Sequence, residues 1–242
     1  MSKYDYSSLK RLQVKDDVLH RQLYATDASV YKIYPDGVCF PKNKEDIIEL
    51  IHFARKNQMP LIPRAGGTSL AGQVVGKGLV VDVSKHFNQI IDFDLKGKKI
   101  VVQPGMVRND LNDFLAPHKL FFGPNTSTSN RCTIGGMTGN NSSGTTSIKY
   151  GVTRDYVLSL SGYLPTGEFV RWGRGTRKFA TGYNLRDLWI GSEGTLGVVT
   201  EITVRLILAV PNRVTFLGAF SDDQAALNTP LALSKLGISP SI

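Results

Sequence analysis

Cysteine is almost missing from this 242-residue sequence: Cys39 and Cys132 stand far apart and outside any CxxC pair. That spacing offers neither a disulfide framework nor a metal knuckle. Histidine is equally thin. His20, His52, His86 and His118 are isolated, with no HExxH or paired spacing, so no metal site is expected and His52 is read as structural. The shortage also leaves no Ser–His–acid set to be read from spacing. Gly191-Ser192-Glu193-Gly194 is not a G-x-S-x-G elbow, so serine hydrolysis is not expected.

No apolar run approaches the roughly 18 residues of a membrane-spanning helix. The opening MSKYDYSSLKRLQVKDD lacks an apolar stretch of the secretory kind, and a soluble, cytoplasmic protein is expected. The formal charge of +9 raises nucleic acid as a partner. Against that reading, basic residues are scattered, the tightest cluster (Arg171, Arg174, Arg177, Lys178) is short, and no helix-turn-helix or zinc pattern occurs. A phosphate-bearing cofactor or an acidic substrate suits a diffusely basic surface at least as well, and nucleic acid is not expected.

The most informative shortage is local. No Asp or Glu occurs between Asp113 and Asp155, a span that holds GPNTSTSNRCTIGGMTGNNSSGTTSIKYG (123–151). Glycine lets backbone N–H groups approach a ligand, and the hydroxyls and amides add short donors. A carboxylate there would repel phosphate, so the stretch reads as an anion cradle. The alternative is a Ser/Gly linker. Against it, Cys132, Ile134, Met137, Ile148 and Tyr150 are spaced through the segment as packing anchors. A second acid-free loop, residues 64–73, lies between Glu49 and Asp82. Its GGTS lacks the GK[ST] ending of a P-loop, and the loop is not a G-x-G-x-x-G fingerprint. Two such loops suit a ligand with two linked phosphates, approached from both sides by amides.

In order, the chain reads as a polar, partly helical arm (1–30) and then a strand at VCF. A helix capped by Asn43 follows, with Ile47, Leu50, Ile51 and Ala54 on its apolar face. Strands follow at LIP (61–63) and from Leu79 to Val83, flanking the first glycine loop: a small α/β unit. QIIDFD and KIVVQ form a hairpin about Lys96-Gly97, and Val107 to Leu115 a short helix. After the cradle come a hairpin about Pro165-Thr166-Gly167, a helix from Leu185 to Ile190 and a strand from Val198 to Leu208. A strand at VTFLGAF and a helix opened by Ser221-Asp222-Asp223 are left without partners, as the beginning of a further domain (211–242).

PRAGGTSLAGQ (63–73), GPNTSTSNRCTIGGMTGNNSSG…KYGVTRDYVLSL (123–160) and GYNLRDLWIGSEGTLGVVTEITVRL (182–206) together resemble the FAD-binding domain of the vanillyl-alcohol oxidase and p-cresol methylhydroxylase type. The branch they resemble holds D-2-hydroxyacid dehydrogenases: glycolate oxidase, D-lactate dehydrogenase and D-2-hydroxyglutarate dehydrogenase. YATDASVYKIYPDGVCFPKNKEDI fits that branch as well. The resemblance covers about residues 22–240.

It implies an α+β fold of two subdomains gripping an extended FAD across residues 31–210, followed by the start of a cap domain. The first loop (Pro63, Arg64, Ala65, Gly66, Gly67, Thr68, Ser69, Leu70, Gln73) would meet the pyrophosphate and the flavin side. Pro124, Ser127, Cys132, Thr133, Gly135 and Gly136 would continue the cradle, with Asn140, Asn141 and Tyr150 beside it. Glu193, Gly194, Gly197, Val198 and Val199 would line the adenosine or pyrophosphate end. Relatives that attach the flavin covalently do so through a His where this sequence has Thr68, so FAD is expected to be non-covalent. Thr126 stands where the branch often has Pro. The implied reaction is oxidation of a 2-hydroxy acid, its α-hydrogen passing to flavin N5. Family substrate-binding and metal-binding residues lie in the cap, so no catalytic residue is assigned. A stand-alone subunit served by a partner chain, sometimes an iron–sulfur protein, is the other reading. Cell-wall precursor reduction on the same fold is a rival enzyme. A bulky residue at Gly66 or Gly135 is expected to displace the flavin by occupying its space.

Overall fold

A computed structural model of the chain describes residues 4–176, 178, 180–212 and 214–241. Arg177 of the basic cluster lies outside the described residues. The fold is built on two main sheets, as the alternation of short β-branched runs and amphipathic segments requires.

The first sheet is small and parallel. Strand β1 (Gly37–Cys39), β2 (Leu61–Arg64) and β3 (Leu79–Asp82) pair in the order β1-β3-β2, with Val38 opposite Val80 and Pro63 opposite Val81. A short helix α1 (Val18–Leu23) precedes it, capped by Asp17, whose Oδ1 accepts from His20 N at 3.1 Å. Helix α2 (Lys44–Lys56) makes the crossover from β1 to β2. Asn43 Oδ1 accepts from Asp46 N at 2.9 Å, with Glu45 and Asp46 in the first turn, an arrangement that satisfies an orphan amide and suits the helix dipole. Ile47, Leu50 and Ile51 bury their face against the sheet, and such a burial contributes about 1.5–3 kcal/mol per side chain. Leu9 and Leu12 of the N-terminal segment enter the same core, 2% and 5% exposed.

The second sheet is antiparallel. Strands β4 (Ile90–Asp94), β5 (Lys99–Val102), β7 (Val157–Tyr163), β8 (Phe169–Trp172) and β9 (Val198–Arg205) run in the order β4-β5-β9-β7-β8. Helices α3 (Arg108–Leu115) and α4 (Ile134–Asn140) pack Leu111, Leu115, Ile134 and Met137 onto Val102, Leu160 and Ile202. β9 alternates buried and half-buried residues along its length, as a strand covered on one face should. The two sheets share apolar contact through Tyr163 and Val198, which join the core of the small sheet. They are also tied by Lys44 Nζ to Glu201 Oε1 at 2.5 Å and by Arg55, which donates to the Thr166 carbonyl at 2.9 Å.

Three expectations need correcting. The strand read as Val198 to Leu208 breaks at Leu206: β10 (Ile207–Leu208) leaves the large sheet to pair with β6 (Leu120–Phe121). A strand that changes partner must bend, and Leu206 is buried at the bend. VTFLGAF forms no strand. Val214, Phe216 and Leu217 are 72%, 89% and 100% exposed, and an isolated extended segment has no ladder to hold it. Helix α6 (Leu185–Trp189) forms as read, and helix α7 (Asp223–Lys235) forms too, capped by Asp222 Oδ1 on Ala225 N, but buries none of its residues. Lastly, Ile148 is no anchor. It lies on the one-turn helix α5 (Ser147–Tyr150), 86% exposed, while Tyr150 packs edge-on to Phe121.

Candidate cofactor site

Parallel strands discharge their connections at their carboxyl ends, and that is where ligands bind in such sheets. β2 ends at Arg64, and the loop that follows carries the chain back to the start of β3. There it meets the second glycine stretch backbone to backbone: a Cβ on Gly66 would lie 2.6 Å from the Arg131 carbonyl oxygen. Gly67 sits at φ 61°, where a Cβ would strike the Arg64 guanidinium. Between the loops, α4 and the turn before β9 lies a cleft of about 400 Å³.

The cleft floor is α4 and the turn docked on it. Thr133 caps the helix, its Oγ1 accepting from Gly136 N at 3.2 Å. The turn hangs on the last helical carbonyls: Gly191 N donates to Thr138 O at 3.0 Å and Glu193 N to Gly139 O at 2.9 Å. Glu193 adopts φ 54°, uncommon for a residue with a side chain. Gly197 lies against the Tyr163 carbonyl, 2.3 Å from where its Cβ would be.

Glycine serves two purposes here, and the structure separates them. At Gly135 a Cβ would lie 2.4 Å from Pro104 Cβ, and its N–H donates to Pro104 O at 2.8 Å. The space beside Gly66 and Gly135 is thus filled by protein, which corrects the expectation that a ligand fills it. At Gly136 the nearest atoms to a Cβ are Thr133 Oγ1 at 3.4 Å and Ala65 Cβ at 3.8 Å, and at Gly139 only Glu193 Cα at 3.8 Å. These two glycines face the open cleft.

Arg64 and Glu193 are the charged residues of the lining. The Arg64 guanidinium stacks on the Tyr24 ring, 5.0 Å from its centroid, and donates to the Tyr24 carbonyl at 3.5 Å. Burial holds its pKa below the usual arginine value, against the pull of Tyr24, Asp82 and Asp27. Tyr24 in turn donates to Asp82 Oδ2 at 2.5 Å, and burial, then that bond, push its phenol up. Across the cleft, Gln73 Nε2 donates to Asn140 Oδ1 at 3.0 Å and Glu193 Oε1 at 3.2 Å. Gln73 Oε1 is buried with no hydrogen-bond partner.

Of the residues read from sequence, the structure gathers Pro63, Arg64, Ala65, Gly66, Gly67, Thr68, Ser69, Leu70 and Gln73 around this cleft. Ser127, Cys132, Thr133, Gly135, Gly136, Asn140, Glu193, Gly194, Gly197, Val198 and Val199 join them. Three lie elsewhere. The Pro124 carbonyl accepts from Arg108 Nε at 3.1 Å. Asn141 ends α4 at φ 48° and its Oδ1 accepts from Arg154 N at 3.0 Å. The Tyr150 carbonyl accepts from Tyr156 Oη at 2.7 Å. Sequence reasoning missed Ser142 and Ser143, which the Gly/Ser stretch could have offered, and Ala28 and Trp189, which no local pattern marks. Among the described residues no group of His, Cys, Asp or Glu could hold a metal ion, and no helix is long and apolar enough to cross a membrane.

Two acid-free loops, a floor with Cβ-free positions and amide and hydroxyl donors on facing walls make this a cradle for an elongated, phosphate-bearing cofactor. The family model described as FAD binding domain matches residues 35–173, and the chain belongs to that family; its cofactor is FAD. The chain is 37% identical over 211 residues to glycolate oxidase subunit GlcD of Bacillus subtilis, covering 86% of this chain and 45% of that protein. It is 38% identical over 175 residues to the mitochondrial D-lactate dehydrogenase [cytochrome] 1 of Saccharomyces cerevisiae, covering 71% and 30%. Alkyldihydroxyacetonephosphate synthase shares the fold at TM-score 0.84 and 22% identity, covering 100% of this chain and 47% of its own. The chain thus spans less than half the length of these relatives. FAD fits the residues present: Gly136 and Gly139 leave room against α4 that a Cβ would fill, and Gln73 Oε1 is a buried acceptor still to be satisfied.

Proposed function

We propose that this chain is the cofactor-holding part of a flavoenzyme that oxidises a D-2-hydroxy acid of the glycolate or D-lactate kind. The observation that carries the reading is the cleft itself, where two acid-free loops meet over a helix face kept open by Gly136. The names of the relatives support the substrate class. Bound FAD would supply the two-electron acceptor. The chain's own residues do the holding. Thr68, Ser69 and Thr133 offer hydroxyls to the diphosphate region, and Arg64 lends positive charge from beneath the loop. Glu193, Gly194, Gly197, Val198 and Val199 line the adenosine end. With Thr68 where a histidine would be needed for covalent attachment, the cofactor is held non-covalently. Pro124, Asn141 and Tyr150 support the cradle from behind.

The group that binds the hydroxy acid is supplied by protein beyond these residues, either a further stretch of chain or a separate subunit. A partner chain is favoured as a second reading by the B. subtilis relative, which is itself named a subunit. The substrate is a small molecule, an iron–sulfur protein is a fitting electron acceptor, and the compartment is the cytoplasm.

The test is the visible absorption spectrum of the purified protein before and after acid precipitation. Flavin bands that leave with the supernatant, identified as FAD by chromatography, are expected. Bands retained in the pellet would overturn the non-covalent assignment. A folded protein that takes up no added FAD would overturn the site.

A further inference from the structure

The two sheets share Tyr163 and Val198, and the Lys44–Glu201 pair bridges α2 to β9. Within the lining of the cleft, three separate elements meet at one side chain. Gln73 comes from the first glycine loop, Asn140 from the end of α4 and Glu193 from the turn before β9. The two hydrogen bonds of Gln73 span 67 and 120 residues of sequence and are exposed to solvent.

This strap is under-satisfied. With Nε2 shared between two acceptor oxygens, the amide cannot flip without setting its oxygen against the Glu193 carboxylate. Gln73 Oε1 is therefore held in a buried position without a donor. Such a group destabilises the arrangement that holds it. Glu193, on the other side of the contact, carries a left-handed φ of 54°. The unsatisfied acceptor regains water when Gln73 releases Glu193, whose left-handed turn stays held by its own backbone bonds to α4.

Resting on the reading of the cleft as the FAD site, we propose that Gln73 is a latch: its bonds to Asn140 and Glu193 hold the loop against the turn, and they open to admit or release the dinucleotide. Glu193 is the keeper, clipped to α4 through its own N–H on Gly139 O. The latch sets how fast the cofactor exchanges.

The experiment follows FAD uptake by the apoprotein through flavin fluorescence in stopped flow, comparing wild type with Gln73→Ala and Gln73→Glu. For wild type, the observed rate should level off with rising FAD as opening becomes limiting. Gln73→Ala should raise that plateau about tenfold and quicken release by a similar factor. Gln73→Glu, which opposes the Glu193 carboxylate, should do the same. A variant that speeds release alone, with the plateau unchanged, would make Gln73 an ordinary contact and overturn the latch. A second readout needs no cofactor: amide hydrogen exchange at residues 191–195 of the apoprotein should quicken about tenfold in Gln73→Ala. If exchange there is unchanged the latch is refuted. A wild-type protein that binds no FAD would sink the cofactor reading, and the exchange result would still decide the latch.

Discussion

Adjacent glycines at the head of α4 should respond in opposite ways to the same substitution. At Gly135 an added Cβ would sit 2.4 Å from Pro104 Cβ and 2.7 Å from Pro104 O, both well inside van der Waals contact. Overpacking of this kind costs about 1–3 kcal/mol. For a domain of this size each kcal/mol moves the melting temperature by about 2–4 °C, so Gly135→Ala should melt about 2–12 °C lower, with or without cofactor. At Gly136 the nearest protein atom lies at 3.4 Å, ordinary contact, and the backbone is not left-handed. Alanine removes unfolded-chain entropy there, and Gly136→Ala should hold apo stability or raise it by up to about 1 kcal/mol. A longer side chain has only the cleft to enter. Gly136→Leu should leave the apoprotein folded while weakening FAD by at least a factor of about ten, equivalent to about 1.4 kcal/mol. Thermal melts of the apoproteins and fluorescence titration with FAD measure the two quantities. Gly136→Leu binding FAD as wild type does, or melting as low as Gly135→Ala, would refute the assignment of Gly136 to the ligand and Gly135 to the core.

Two further outcomes follow from polar contacts. Tyr24→Phe removes the 2.5 Å bond to buried Asp82, which keeps Ser84 N and Oγ, and should cost about 1–3 kcal/mol in urea unfolding at pH 8. The phenol is pushed above its ordinary 10.0 in the fold, so below pH 10 it is protonated in both states and its contribution is intact. As pH rises past 10 the unfolded tyrosine ionises first, and that contribution is lost by up to about 1.4 kcal/mol per pH unit. The gap between Tyr24→Phe and wild type should therefore narrow above pH 10, and a constant gap would count against it. Glu201 is 15% exposed and lies 2.5 Å from Lys44 Nζ and 3.6 Å from an Arg171 nitrogen, so Glu201→Gln should lose about 1–2 kcal/mol and blunt the dependence of stability on salt. Identical melts at low and high salt for both proteins would show that the Lys44–Glu201 pair adds nothing to the tie between the sheets.

Much of the site was legible because its signal is local. The run of Gly, Ser and Thr without a carboxylate is written in neighbouring residues, and the cap at Asn43 and the apolar face of α2 follow from spacings of three and four. Helix α7 shows the same: Asp222 capping Ala225 was enough to form it, although nothing buries it. Failures fell where a residue's fate depends on a distant partner. VTFLGAF has the composition of a strand, but a strand exists only when another edge accepts its bonds, and none of the described strands does. β9 and β10 read as one run because the choice between β5 and β6 as neighbour is not local.

Composition, capping and the motif stretches determined most of the helices and strands, the family and the general character of the cradle. Tertiary structure alone decided which glycine faces Pro104 and which faces the cleft, since adjacent residues of a helix point to different sides. It also decided that Asn141 and Tyr150 turn away from the cleft and that Gln73 reaches Glu193 across 120 residues. Such distances close only when the two sheets pack, and no pattern confined to a turn or a helix can encode them.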